Sequence, residues 1–324
     1  MNKTVKGVAK TALAVTGVAT GISALVYEFV LSKRGIEFNK NHQFFVNEDD
    51  VNAITNNTEF FEGQKWFSKV SPKPTAKICE NGERIYSYIA RQTEKSNKWA
   101  VVIHGYTDEP RGMANYGRRY FEKGYNVLFP CLRAHSIDTN KYCSMGYYDR
   151  YMVCDWVDYI VKEDPDCEIV LHGVSMGGAT TMLVTGENLP QNVVCAVADC
   201  GYTTCYDEYK AQIGNVLHLP EFPFLPMINT ISKLRGNFDF KACAPIEAVK
   251  MSKTPTLFVH GEKDTFVPYY MMDMVYDACS AEKDKLSVPD ATHAASALVH
   301  PEFYWDKVSA FISKYTKKEV ETGE

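Results

Sequence analysis

The 324-residue chain reads as an α/β protein built on a mostly parallel central sheet with helices on both faces. Two observations predict this. Apolar, β-branched runs near 99–103, 125–130, 168–172, 193–198, 255–260 and 285–288 alternate with segments long enough to be helices, the pattern of parallel strands joined by helical crossovers. The run Glu168-Ile169-Val170-Leu171 also leads through Gly173-Val174-Ser175-Met176-Gly177 into a helix-compatible stretch at Gly178-Ala179-Thr180, a strand-turn-helix unit. With 45% hydrophobic and 23% charged residues the chain has ample means to bury one core, and folds of this class run to roughly 250 residues as a unit.

The amino terminus opens with Lys3, Lys6 and Lys10, followed by an apolar run over 11–27 that continues through Phe29, Val30 and Leu31. At roughly 1.5 Å per residue this run reaches about 30 Å, the thickness of a bilayer core. Residues 1–35 are therefore expected to be an uncleaved signal anchor, a single transmembrane helix with Glu28 near the far interface. Cleavage as a signal peptide, which would secrete the chain, is the alternative. Three lysines before the run face Lys33 and Arg34 behind it, so the charge rule favours a cytoplasmic amino terminus and an extracytoplasmic main domain. Gly17 and Gly21 are read as small residues of such a helix rather than as a dimerisation face.

Residues 36–76 form a polar lead-in punctuated by Ser71-Pro72-Lys73-Pro74. A hairpin is expected to start the sheet, because Asn81-Gly82 separates 76–79 from 84–90 and favours a primed turn. The main domain spans 77–317, and 318–324 is a polar tail. The longest break in the alternation, about 203–249, carries Pro220, Pro223 and Pro226, which forbid one continuous helix. Its leucines and phenylalanines need an apolar surface to cover.

The formal net charge of −5 gives no broad basic footprint for nucleic acid. No zinc-like Cys/His spacing or phosphate-cradling glycine motif is present, so neither metal nor cofactor is called for. The ten cysteines are expected to be mostly free thiols, as Cys195 within an apolar run illustrates. An oxidising location outside the cytoplasm would pull the other way.

Ser175 is the leading candidate for chemistry. A serine on a sharp strand-to-helix turn crowds the residues two before and two after it, which explains Gly173 and Gly177. Downstream, the strand 257–261 is followed by Glu262-Lys263-Asp264, and the strand 285–288 by Asp290-Ala291-Thr292-His293. Upstream, His104-Gly105-Tyr106-Thr107 closes the strand 99–103. A serine hydroxyl is a poor nucleophile until an adjacent base takes its proton, and a carboxylate behind that base orients it. Asp199, after the preceding strand, is a second candidate carboxylate.

The order Ser175, Asp264, His293 resembles that of the α/β-hydrolase superfamily, and the resemblance covers about Lys77 to Tyr315. Through Gly124-Tyr125-Asn126-Val127-Leu128 and Met145-Gly146-Tyr147-Tyr148-Asp149-Arg150 the chain is similar to bacterial esterase-like members of the serine aminopeptidase S33 branch. The resemblance implies an α/β-hydrolase fold with 203–249 at the lid position, roofing the acyl side of a pocket. It implies Ser175 as nucleophile, His293 as base and Asp264 as its orienter, with the backbone N–H groups of Tyr106 and Met176 as the oxyanion hole. The expected reaction is hydrolysis of a carboxylic ester with a modest acyl group, or of a thioester or amide, through an acyl-enzyme. The partner is then a small-molecule ester or a short peptide. The alternatives are an aminopeptidase-like activity and a catalytically silent binding protein on the same fold.

His104 is expected to organise the oxyanion loop rather than act as base, while His135, His172, His218 and His260 are read as structural, and Trp156 and Tyr159 as core contacts. One segment departs from the superfamily's P-D-x-R-G-H-G pattern: here it is Pro130-Cys131-Leu132-Arg133-Ala134-His135-Ser136. Alanine and serine tolerate fewer backbone conformations than glycine, so this loop is expected to take a different path.

Overall fold

The computed structural model describes residues 3–44 and 57–317, so part of the lead-in and the tail at 318–324 lie outside the described residues. The strands are β1 Lys73–Ile78, β2 Arg84–Ala90, β3 Lys98–Ile103, β4 Asn126–Cys131, β5 Glu168–Val174, β6 Val193–Asp199, β7 Thr256–Gly261 and β8 Lys283–Val288. They form one 8-stranded sheet in the order β1-β2-β4-β3-β5-β6-β7-β8. β2 runs antiparallel to β1 and β4, and from β4 to β8 every pairing is parallel. The expected hairpin turns at Gly82, with φ +82°.

Every residue of β4, β5 and β7 is buried, as a sheet covered on both faces requires. The side chains divide by the two-residue period of a strand: Trp99, Val101 and Ile103 enter one apolar cluster, Ala100 and Val102 the other. The covering helices are α1 Lys3–Leu31, α2 Lys33–His42, α3 Thr58–Val70, α4 Ala114–Phe121, α5 Asp149–Glu163, α6 Met176–Thr185, α7 Cys205–Asn215, α8 Glu221–Ile231, α9 Pro245–Met251, α10 Tyr270–Ala278, α11 Ser296–Val299 and α12 Pro301–Ile312. Trp156 on α5 is fully buried and meets the Tyr159 ring edge-on at 5.4 Å.

The lead-in holds more structure than its polarity indicated. α3 is a helix docked on α4, with Glu59 pairing Arg118 and Arg119 at 2.7 Å each. The insertion between β6 and β7 is broken as its prolines require. α7 ends before Pro220, and Phe222, preceding Pro223, keeps an extended conformation at φ −96°, ψ 133° inside the next helical stretch.

The far end of the expected anchor packs against the main domain. Tyr27, Val30 and Leu31 are buried within the main core cluster rather than offered to lipid. Glu28 is engaged within the protein. It accepts a hydrogen bond from Tyr142 Oη at 2.6 Å and pairs with Arg235 at 2.6 Å. Leu31 O accepts from Cys143 N at 2.8 Å, and Lys33 N donates to Lys141 O at 2.9 Å. The chain then turns sharply into α2, whose cap Ser32 accepts from Gly35 N at 3.1 Å. A Cβ on Gly35 would stand 2.2 Å from Phe29 O, so the corner needs glycine. The packing is mutual coverage: the apolar end of α1 lies along α8, and the insertion's Leu225 and Ile228 are the surface it buries. Among the described residues no helix is long and apolar enough to cross a membrane. All ten cysteines are free, and only Cys154 is not fully buried.

Candidate active site

Ser175 sits between β5 and α6 with φ 58° and ψ −121°, a conformation that a non-glycine residue adopts only when its surroundings enforce it. They do so by close packing. A Cβ on Gly173 would lie 2.0 Å from Gly177 O, and one on Gly177 would lie 2.1 Å from Ile103 O. Ser175 N donates to Asp199 O at 2.8 Å, tying the turn to β6.

The sheet brings the three ordered residues together. His293 Nε2 lies 2.8 Å from Ser175 Oγ, and His293 Nδ1 lies 2.8 Å from Asp264 Oδ2. Asp264 Oδ1 accepts from Phe266 N and Val267 N, both at 3.0 Å, so the carboxylate is fixed before it meets the imidazole. Burial alone would raise the Asp264 pKa, but the His293 charge and the hydrogen bonds from His260 and His293 hold it down at about 2. Burial in turn opposes protonation of His293, yet the Asp264 carboxylate overrides it and holds the imidazole well above its ordinary range. The alternative carboxylate, Asp199, is engaged elsewhere: its Oδ2 accepts from Tyr304 Oη at 2.9 Å.

The predicted oxyanion residues flank the serine. Met176 is the first residue of α6, where an N–H has no carbonyl partner within its own helix. The 104–107 loop passes so close that a Cβ on Gly105 would be 3.7 Å from Ser175 Oγ. His104 fixes that loop. Its Nε2 accepts from Leu132 N at 3.1 Å, which leaves Nδ1 to donate to Gly105 O at 2.8 Å, and burial keeps the ring neutral.

Other histidines serve the fold. His172 is clasped between Tyr120 Oη and Tyr304 Oη at 2.8 Å each, and burial lowers its pKa to about 3. His260, structural as expected of a strand histidine, has its Nε2 3.2 Å from Asp264 Oδ2, making it a further support for that carboxylate. Nothing in a lone histidine ending a strand signals that contact.

The 130–136 segment, where the sequence departs from the superfamily pattern, holds two residues in an unusual backbone conformation. Ala134 and Ser136 stand in the left-handed region, at φ 63° and 49°, the conformation glycine adopts most readily. Neighbours hold this strain. Ala134 N donates to Asp138 Oδ1 at 2.8 Å, and Lys33 Nζ from the amino-terminal arm donates to Ser136 O at 2.7 Å and Asp138 O at 2.6 Å.

Cys200, also missed from the sequence, has its sulfur within 4.8 Å of ligand-type atoms of Asp264 and His293, an arrangement compatible in outline with a metal ion. Asp264 and His293 already hydrogen-bond each other there, and burial pushes the Cys200 thiol up to about 12.

Above Ser175 is a narrow cavity walled by Val30, Met145, Tyr202, Leu217 and Val267, with Glu208 as its one carboxyl group. Glu208 Oε1 accepts from Gln212 Nε2 at 3.0 Å, while Oε2 is buried with no hydrogen-bond partner. Burial raises the Glu208 pKa from 4.5 to about 8. Between those values the folded chain holds a proton that the unfolded chain releases. The stabilisation is complete below the lower value and is lost as pH rises through the upper one. Glu208→Gln is therefore expected to gain thermal stability relative to wild type as pH is raised from about 5 to about 9. Melting temperatures that track each other across that range would contradict the burial of this group.

Strand order, elbow and the seating of Ser175, Asp264 and His293 define an α/β-hydrolase. The chain belongs, within that superfamily, to the prolyl oligopeptidase family, whose sequence profile matches residues 144–319. The superfamily is the one its motifs indicated, and the matching branch is described differently from the S33 branch they suggested. The uncharacterized protein YqkD of Bacillus subtilis is 25% identical over 214 residues, 65% of this chain and 70% of that protein. Among solved structures, the Pyrococcus furiosus esterase Pf2001 has a TM-score of 0.63 at 20% identity and covers 78% of this chain and 96% of its own. The Pyrococcus horikoshii acylaminoacyl peptidase has a TM-score of 0.57 at 16% identity, covering 78% of this chain and 43% of that one. At these identities the structural likenesses speak to the fold.

Proposed function

We propose that the protein hydrolyses carboxylic esters with Ser175 as nucleophile. The observation that carries this reading is the pair of 2.8 Å contacts linking Ser175, His293 and Asp264 at the floor of an apolar cavity. His293 Nε2 takes the proton of Ser175 as Oγ attacks the carbonyl carbon, and Asp264 stabilises the resulting imidazolium. The tetrahedral oxyanion accepts from the N–H groups of Tyr106 and Met176, each donor contributing roughly 3 kcal/mol to the transition state. His293 then protonates the leaving alcohol. Water, deprotonated by His293, attacks the acyl-enzyme, releases the acid and restores Ser175.

A peptidase reading rests on a different observation, the unpartnered Oε2 of Glu208, which would meet an α-ammonium group in the same cavity. The two readings separate on paired substrates of equal acyl size. Turnover of p-nitrophenyl butyrate well above that of aminoacyl p-nitroanilides is the expected result. Faster release from the aminoacyl anilides, abolished by Glu208→Gln, would replace the esterase reading with the peptidase one.

A further inference from the structure

Val30 belongs to the amino-terminal arm, far in sequence from the catalytic motifs, yet it lines the cavity above Ser175. A second, small cavity of about 20 Å³ lies directly behind it, walled by Val26, Tyr27, Leu31, Ile213, Leu225 and Ile228. Val30, Tyr209 and Leu217 line both cavities, so together they are the partition between them. The partition is firmly seated: Val30 is 6% exposed, and its carbonyl accepts from Tyr106 Oη at 2.6 Å. Asn39 Nδ2 closes the arrangement, donating to Phe29 O at 3.0 Å and to Tyr106 Oη at 3.3 Å. The residue whose N–H is assigned to the oxyanion is thus the one whose side chain holds the arm.

We propose that Val30 is a specificity-determining residue, closing the acyl cavity of Ser175 so that the substrates are esters of short acyl chains. This rests on the esterase reading above. A chain growing away from the Ser175 carbonyl meets the Val30 and Leu217 side chains before it can enter the second cavity. That cavity is small but lined mainly by hydrocarbon, and joined to the space freed by truncating the partition it would bury further methylenes favourably. Deleting two methyl groups in Val30→Ala, or the branched end of the side chain in Leu217→Ala, opens the partition at one residue each.

The test is a series of p-nitrophenyl esters from acetate to decanoate, run on the full chain and both variants, with fluorophosphonate labelling to count competent serines. Wild type is expected to lose kcat/KM sharply beyond the short esters. Each variant that still labels should raise the octanoate-to-butyrate ratio of kcat/KM by about tenfold, the change produced by burying roughly two more methylenes. A general loosening of the fold would lower every ester together and leave that ratio alone. Labelled, folded variants with the wild-type ratio would overturn the partition while leaving the esterase reading intact. Wild type that neither labels nor turns over any ester would overturn both.

Discussion

Ser175→Ala is expected to remove hydrolysis of a short activated ester, with kcat falling by roughly a million-fold, and to leave the melting temperature close to that of wild type. The magnitude follows from the arrangement. Without Oγ no acyl-enzyme forms, and His293 and Asp264 have no proton transfer to assist, so removal of the nucleophile costs about as much as removal of all three. What persists is the effect of the oxyanion donors and the cavity on attack by water. The melting temperature is expected to hold because the backbone of the turn is set by the glycine contacts and by the bond from residue 175 N to Asp199 O, neither of which uses the hydroxyl. Stopped ester assays and thermal melts of the purified pair check both parts.

Asp264→Asn is expected to lower kcat by about ten-thousand-fold, because an amide would leave His293 with the wrong ring nitrogen protonated. A second effect separates this role from simple loss of structure. Asp264 holds the His293 imidazole well above its ordinary range, and His293 must be neutral to take a proton from Ser175. In wild type kcat/KM should therefore rise with pH through a midpoint above about 6.5, the unperturbed imidazole value. In Asp264→Asn the residual activity should reach its plateau at lower pH, since the charge that held the proton on is gone. A midpoint that stays in place would mean that another group controls the limb. Asp199→Asn should leave the midpoint nearer to wild type, since its carboxylate is committed to Tyr304.

Much of the fold was legible because it depends on local pattern. The strands fell where apolar runs alternate with helix-length segments, and the turn at Ser175 was readable because only glycine fits at 173 and 177. The meeting of Ser175, Asp264 and His293 was legible for a related reason: each follows a strand's carboxyl end, and parallel strands bring those ends to one edge of the sheet. What could not be read was which apolar surface covers which. The end of α1 is an apolar run, and the insertion is an apolar lid in need of cover. Composition does not say that Tyr27, Val30 and Leu31 cover Leu225 and Ile228. The left-handed backbone at Ala134 and Ser136 was hidden for the same reason, because Lys33, a hundred residues upstream, holds it. Glu208 gave no signal either, since a glutamate on a polar helix face looks exposed until the fold buries it.

The central claim is that Ser175 Oγ is the atom that attacks the substrate. Its most direct test is to treat the full chain with a fluorophosphonate, digest it, and locate the phosphonyl adduct by mass spectrometry. The account predicts one adduct, on Ser175, blocked by prior acylation with a slowly hydrolysed ester and absent from Ser175→Ala. An adduct on another residue, or a folded chain that takes up none while still cleaving the ester, would contradict it.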